Sequence, residues 1–390
     1  MKTLLNRSIA YITSLMVLTT IVAHGAVSIV RTPDNGIQPQ AAIDGKGILH
    51  LIYFKGNPRG GDIYYVNSQT GGETFSEPIQ VNNRAQCAMA IGTIRGAHLA
   101  IGKNERVHVA WMGTSDGGDS DSSGHHRKHP MLYTRLNDTG TSFEPERNLV
   151  TWAGGLDGGG SLGADSKGNV YVAWHGSAPD NHDKEFGRSV YVAHSDDEGK
   201  NFKKEKQAMS QQTGACGCCG MRAYVDSKDN FYVLYRTADK SGRDMALLMS
   251  SDKGKTFSLS SVNDWNIQAC PMSSAAFGEG GNGILLGTER KGHIEAVTLD
   301  PNTMVQSSIG DALGLRKIGK YPSVSGNARG EVLLAWTEGG GWNKGGVLKW
   351  VTFDASSKLI EKSEFPEKHV DAWSFATTAT KLDGTFLVIF

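Results

Sequence analysis

Beyond residue 25 the chain has no apolar run long enough to cross a bilayer, which takes about 20 apolar residues. It also lacks an excess of charge, with 40 Lys+Arg against 40 Asp+Glu. A net charge near zero removes the electrostatic footprint of nucleic-acid or anionic-membrane binding. Apolar residues at helical spacing are almost missing, and the 11 prolines are far outnumbered by 49 glycines. Many turns and few helices make an all-β chain. No Pro/Ser-rich linker, charge block or shift in composition divides it, so residues 26–390 are expected to form one large repetitive domain.

The start differs from the rest. Lys2 and Arg7 precede an uncharged run over 9–22, and Ala23 and Gly25 suit cleavage before Ala26. Thr13, Ser14, Thr19 and Thr20 interrupt the run, so residues 1–25 read as a signal peptide rather than an anchor. The mature chain is then secreted or periplasmic, where disulfides can form.

What fills the chain is a repeat of four short strands. Inner hairpins are expected over 40–54, 97–111, 161–174, 221–235, 273–287 and 323–336, with a seventh over 375–390. Outer pairs follow the first six, the fifth ending in a weak strand near Met304, and a lone strand spans 27–31. Units of this size that cannot bury their faces alone stack into a propeller. The unmatched last hairpin would pair with the N-terminal strand and close seven blades; a six-bladed ring with a C-terminal extension is the alternative.

Four outer hairpins share a spacing that ends on an aromatic. The copies are Ser68/Thr70/Gly72/Thr74/Phe75, Leu136/Asp138/Gly140/Ser142/Phe143, Ser195/Asp197/Gly199/Asn201/Phe202 and Ser250/Asp252/Gly254/Thr256/Phe257. Asp and Ser side chains can bond their own loop, Gly accepts positive φ, and the aromatic can plug the space between sheets. Together they resemble the Asp-box (BNR) repeats of the sialidase superfamily. The resemblance implies that the boxes lie opposite the ligand face, which the loops entering each inner strand would build.

In that likeness, Arg236 with Arg243 resembles the segment of the second active-site arginine. Arg290 resembles the third arginine, and Tyr321 the nucleophilic tyrosine. A phenol needs a carboxylate base near neutral pH. The family glutamate falls where this chain has Cys219-Gly220-Met221, and the first arginine falls at Gln38-Pro39-Gln40. Glu338, ending the strand paired with that of Tyr321, is then the candidate base. Such a site implies an anionic glycan or carboxylated small ligand, bound or hydrolysed, with Trp342 and Trp373 as loop tryptophans able to stack on sugar.

Hairpin pairing sets Met221 opposite Arg236 and Pro271 opposite Arg290, which brings arginines to cysteines. All five cysteines fall in entering loops: Cys87, the cluster Cys216, Cys218 and Cys219, and Cys270. Three readings stay open. One or two disulfides, for example from the cluster to Cys270, would make a rigid interaction scaffold. Thiolates of Cys216, Cys218, Cys219 and Cys270 with the Met272 thioether would suit copper(I) or zinc. Arginines beside a thiol could also activate it. His125, His126 and His129, with His175 and His182, read as solvated loop.

Overall fold

The structure is a computed structural model describing residues 24–115, 129–179, 181, 185–239, 242–267, 269–311, 318–363 and 366–390. Residues 1–23 of the expected signal peptide, and His125, His126 and His182, lie outside the described residues. Among the described residues there is no α-helix, only three short 3₁₀ turns, and no helix is long and apolar enough to cross a membrane.

Four of the inner hairpins reverse around an Asp or Asn whose side chain binds the turn. Asp226 Oδ1 accepts the amides of Lys228 (3.0 Å) and Asn230 (2.7 Å), and Asp165 does the same for Lys167 (2.9 Å) and Asn169 (2.8 Å). Asp44 and Asn327 repeat the pattern in other blades. The side chain replaces backbone partners that a tight turn cannot supply.

Seven antiparallel sheets result, six of four strands and one of three, with a short extra strand, Lys368–Val370, on the sixth. The innermost strands of blades 1 to 7 are Ile37–Ile43, His98–Ile101, Gly160–Ala164, Arg222–Val225, Ala276–Gly280, Gly319–Gly326 and Thr377–Thr380. Blade 7 is completed by Val27–Val30, which pairs in parallel with Phe386–Ile389. The ring therefore closes seven blades, and the six-bladed alternative is set aside.

Second strands are sandwiched between neighbouring blades. Val107–Met112 and Phe231–Arg236 are buried at every position. Each such Leu, Val or Phe contributes about 1.5–3 kcal/mol by leaving water. Trp111, Trp174 and Trp336 belong to this packing.

The outer turns bind themselves. Ser250 Oγ accepts the Gly254 amide at 2.9 Å, and Asp252 Oδ1 accepts that of Thr256 at 2.9 Å. In the second copy Leu136 replaces serine, and Asn137 Oδ1 takes the Thr141 amide at 3.0 Å instead. The aromatics bridge blades: Phe143 meets Tyr65 edge-on at 5.6 Å, and Phe202 meets Tyr133 at 4.7 Å.

Two details differ from expectation. The last strand of blade 5 is Gln306–Asp311, just past Met304. Registers are displaced as well: Arg222 pairs with Leu234 and Ala276 with Gly287, one and two residues away from the expected pairings. The Asp226 turn holds one residue fewer than the expected register needs, and that displacement changes which side chains face the channel.

Candidate functional site at the channel mouth

Non-glycine residues with left-handed backbone recur at or just before the innermost strands, among them Gln38 (φ 52°), Thr93 (60°), Met272 (47°), Tyr321 (55°) and Trp373 (64°). Bulges interrupt the register between Ile37 and Gln40 and between Lys320 and Ser323. Such strain costs on the order of 1–3 kcal/mol per residue and concentrates at functional sites. Here the surroundings hold it. Gln38 Nε2 donates to the carbonyls of Ala90 (2.6 Å) and Trp373 (2.7 Å), and Thr93 Oγ1 donates to that of Trp342 (3.0 Å).

The seven innermost strands enclose a cavity of about 370 Å³. At its mouth lies Arg222, ringed by protein yet in contact with the space of the channel, which reconciles its deep position with its partial exposure. Nη1 donates to the Met221 carbonyl at 2.9 Å and to His98 Nε2 at 3.2 Å. Among the described residues no carboxylate pairs with it. Burial brings its pKa down to about 10, so it remains a cation at neutral pH. Burial, with Arg222 adding to it, holds His98 well below the usual imidazole range. His98 is thus neutral and accepts at Nε2, which leaves its proton on Nδ1. Ser274, also lining the cavity, is buried with no partner for its hydroxyl.

Tyr321 borders the same cavity, 2% exposed, with its hydroxyl unpartnered. Burial pushes its phenol well up; the nearby Thr93 hydroxyl, too poorly aligned to count as a hydrogen-bond partner, works against this, and the charges of Glu289 and Cys219 add to the rise. Glu289 is fully buried; burial raises it to about 7 even though Lys320 Nζ lies 2.6 Å from Oε1. Its Oε2 has no partner.

Four of the five cysteines meet behind this wall, and Cys87 packs apart from them in the core between blades 1 and 2. A disulfide joins Cys218 to Cys270, and Cys87, Cys216 and Cys219 are free and buried. Cys216 Sγ lies 3.5 Å from that of Cys218, 3.4 Å from that of Cys219 and 3.8 Å from that of Cys270. Ser273 Oγ links Cys219 Sγ (3.8 Å) to Arg236 Nε (3.2 Å). Burial works against the Cys219 thiolate, but Cys216 and Arg236 outweigh it and lower this thiol below its ordinary range. Cys216 moves the other way, raised by its bond to Cys219 and by burial.

Several expected site residues are placed elsewhere or are occupied. Arg236 does lie beside Cys219, but its donors also go to the Arg243 carbonyl (2.9 Å) and the Glu289 carbonyl (2.7 Å), at 2% exposure. It is a strut, with little left for a ligand. Arg243 is held by Glu185 at 3.3 Å. Arg290 points along its outer hairpin to Glu295 (3.3 Å), while Glu289, its neighbour on the strand, takes the opposite, fully buried face. Glu338 pairs across the sheet with Gly319, two residues short of Tyr321. Trp342 carries the Arg95 guanidinium on its face, 4.9 Å from the ring centre. Trp373 is half-buried and anchors Gln38 through its carbonyl. With Cys218 and Cys270 bonded, the four cysteines together with Met272 do not form a ligand set in this state; the Met272 amide donates to Cys270 Sγ at 3.4 Å.

His175 also corrects an expectation. It is 1% exposed and accepts the amides of Asp157 (3.2 Å) and Gly158 (3.1 Å), so it is a core residue rather than a solvated one. His129 does lie by a loop, its Nδ1 3.1 Å from the Gly113 carbonyl. Sequence reasoning missed Arg222, His98, Ser274 and Glu289. The available signal was an arginine inside an otherwise apolar innermost strand.

No family model and no curated protein matches the sequence. Solved structures do match in fold. An α-L-arabinofuranosidase from Fusarium graminearum superposes with a TM-score of 0.54 at 10% identity, covering 86% of this chain and 98% of that one. A protein of unknown function from Dyadobacter fermentans gives 0.51 at 16%, covering 80% and 93%. A Trypanosoma rangeli sialidase in complex with sialic acid gives 0.51 at 13%, covering 77% and 51%. At such identities the likeness is one of propeller fold.

Proposed function

We propose that this protein is an exported propeller that binds the acidic end of a glycan in the mouth of its channel, with Arg222 receiving the carboxylate. The observation that carries this is a channel-facing guanidinium, still charged at neutral pH, with no carboxylate partner among the described residues. An enclosed cation is costly unless an anion compensates it. Guanidinium offers a planar fork suited to a carboxylate. The unpartnered hydroxyls of Ser274 and Tyr321 supply further donors beside it. A cavity of 370 Å³ falls within the usual range for small ligands. Sugar-processing enzymes on the same fold are consistent with this ligand class.

Calorimetric titration with N-acetylneuraminate, glucuronate and galactose tests it. The acidic sugars should bind, galactose should not, and Arg222→Gln should lose roughly 10- to 100-fold, the worth of a charged hydrogen bond. Equal binding of galactose, or an unaltered Arg222→Gln, would overturn the reading.

One observation favours hydrolysis of that ligand as a second reading. Glu289, with a pKa near 7, acts electrostatically on the unpartnered Tyr321 phenol. A carboxylate poised near working pH is suited to activating a tyrosine nucleophile, the group sialidases use. Release of the chromophore from an aryl sialoside by the wild type, lost in Tyr321→Phe, is the outcome this reading requires.

A further inference from the structure

Behind the channel wall, four cysteine sulfurs converge from two loops, Cys218 and Cys270 lying 52 residues apart in sequence. Cys216 is the hub, with its Sγ 3.4 to 3.8 Å from the other three. Four sulfurs bound tetrahedrally at about 2.3 Å from one ion sit about 3.8 Å apart. Three of the six edges already have nearly that length. A fourth, between Cys218 and Cys270, is closed by a covalent bond. We propose that Cys216, Cys218, Cys219 and Cys270 form a four-sulfur centre for one thiophilic d10 ion, zinc(II) or copper(I), occupied when the Cys218–Cys270 bond is reduced and emptied when it forms.

The surroundings are built for negative sulfur. Ser273 Oγ donates toward Cys219 Sγ and the Met272 amide toward Cys270 Sγ, the outer hydrogen bonds that thiolate ligands use. Four thiolates around a zinc ion leave two negative charges. Arg236 stands on one side through Ser273. Arg188 stands on the other: its Nη1 lies 2.0 Å from where a Cβ at residue 217 would sit, so the guanidinium packs against the Gly217 backbone between Cys216 and Cys218. Arg188 and Arg243 share the Glu185 carboxylate, which itself lies within 4.8 Å of the Cys216 and Cys218 sulfurs, so these two arginines also offset a carboxylate at the cluster's edge.

The release step balances with a low-molecular-weight disulfide, RSSR, as oxidant. The two thiolates of Cys218 and Cys270 give up two electrons and form their S–S bond. RSSR takes those electrons and two protons from solvent and leaves as two RSH. The ion then loses two of its four ligands.

The test is metal content of the full-length protein, purified under argon with reductant and offered Zn2+ or Cu+ in separate arms. One ion per chain in either arm is expected, and which arm retains it against a chelator identifies the ion. Glutathione disulfide should then lower the retained metal at least 10-fold while two thiols disappear. Co2+ substitution of the wild type should give the d–d bands of a tetrahedral thiolate site, a readout that needs no variant. Cys270→Ser should weaken retention at least 10-fold, and Cys87→Ser should not. Reduced protein with five titratable thiols that retains neither ion would overturn the proposal. So would formation of a second bond, Cys216–Cys219, with no metal uptake in any state.

Discussion

Arg222 Nη1 lies 3.2 Å from His98 Nε2, so a cation from blade 4 faces a neutral imidazole from blade 2 at the channel mouth. The contact fixes the guanidinium without neutralising it. Replacing Arg222 by methionine would keep much of the volume and remove the uncompensated charge. The ligand-free Arg222→Met protein is therefore expected to melt no lower than wild type in low-salt buffer. Acidic sugars should raise the wild-type melting temperature and leave that of Arg222→Met unmoved. A clear fall in the ligand-free melting temperature of the variant would show that the charge is satisfied within the protein.

Four buried histidines set an acid limit on stability. Burial lowers His108 and His175 to about 3, holds His98 well below 6.5 and lowers His50 as well. Their unfolded counterparts take up protons near 6.5. Below that value the unfolded chain binds more protons than the folded one, so stability falls as pH drops from about 6.5 toward 3. Each pKa unit of difference is worth about 1.4 kcal/mol for each group. Urea midpoints measured at pH 7.5, 6, 5 and 4 should decline steadily, and His108→Gln should flatten the slope. A midpoint that holds constant down to pH 4 would contradict this.

Glu289 titrates in the opposite sense. Its folded pKa of about 7 lies above the ordinary glutamate value, so it is half-protonated near neutrality. In the hydrolysis reading its carboxylate form is the active one, and the rate should rise with pH through about 7 rather than through 4 to 5. Tyr321→Phe and Glu289→Gln are each expected to lose at least about 100-fold, the usual worth of positioned proton transfer. Arg290→Ala should keep wild-type turnover, because its guanidinium serves Glu295. A matched loss in Arg290→Ala would place that arginine in the site after all.

The architecture was readable because repetition advertises itself. Seven inner hairpins, their Asp-centred turns and the unmatched final pair specify a ring and its closure. The ligand face was harder, since the facing of each side chain depends on register, and a slip of one residue turns every side chain to the other face. Met221 was expected opposite Arg236, whereas the strand pairs Arg222 with Leu234. Glu289 went unnoticed for another reason: it neighbours Arg290 on the strand and takes the opposite, buried face. Convergence of the Cys216 loop on Cys270 was foreseeable because both precede innermost strands of adjacent blades. Whether Arg236 was free could not be read, because its partners, two backbone carbonyls and the side chains of Ser273 and Asn263, come from segments far apart in the sequence.

Ring closure by the N-terminal strand can be tested with two prolines. The Ala26 and Val30 carbonyls accept from the amides of Phe386 (2.8 Å) and Phe390 (3.1 Å), and the Thr32 amide donates to Phe390 O at 2.8 Å. That alternation turns the backbone of even-numbered residues toward Phe386–Ile389. Odd-numbered amides face the open edge of the sheet, where proline is tolerated. Val30→Pro removes a ladder bond from a strand whose partners Phe386, Leu387 and Val388 are fully buried. It is expected to cost about 3 kcal/mol, the penalty of a proline inside regular structure. Ile29→Pro should cost less, losing only partly buried packing. Calorimetric melting of both variants decides it: if Ile29→Pro is the more damaging, the edge has been assigned to the wrong side of the strand.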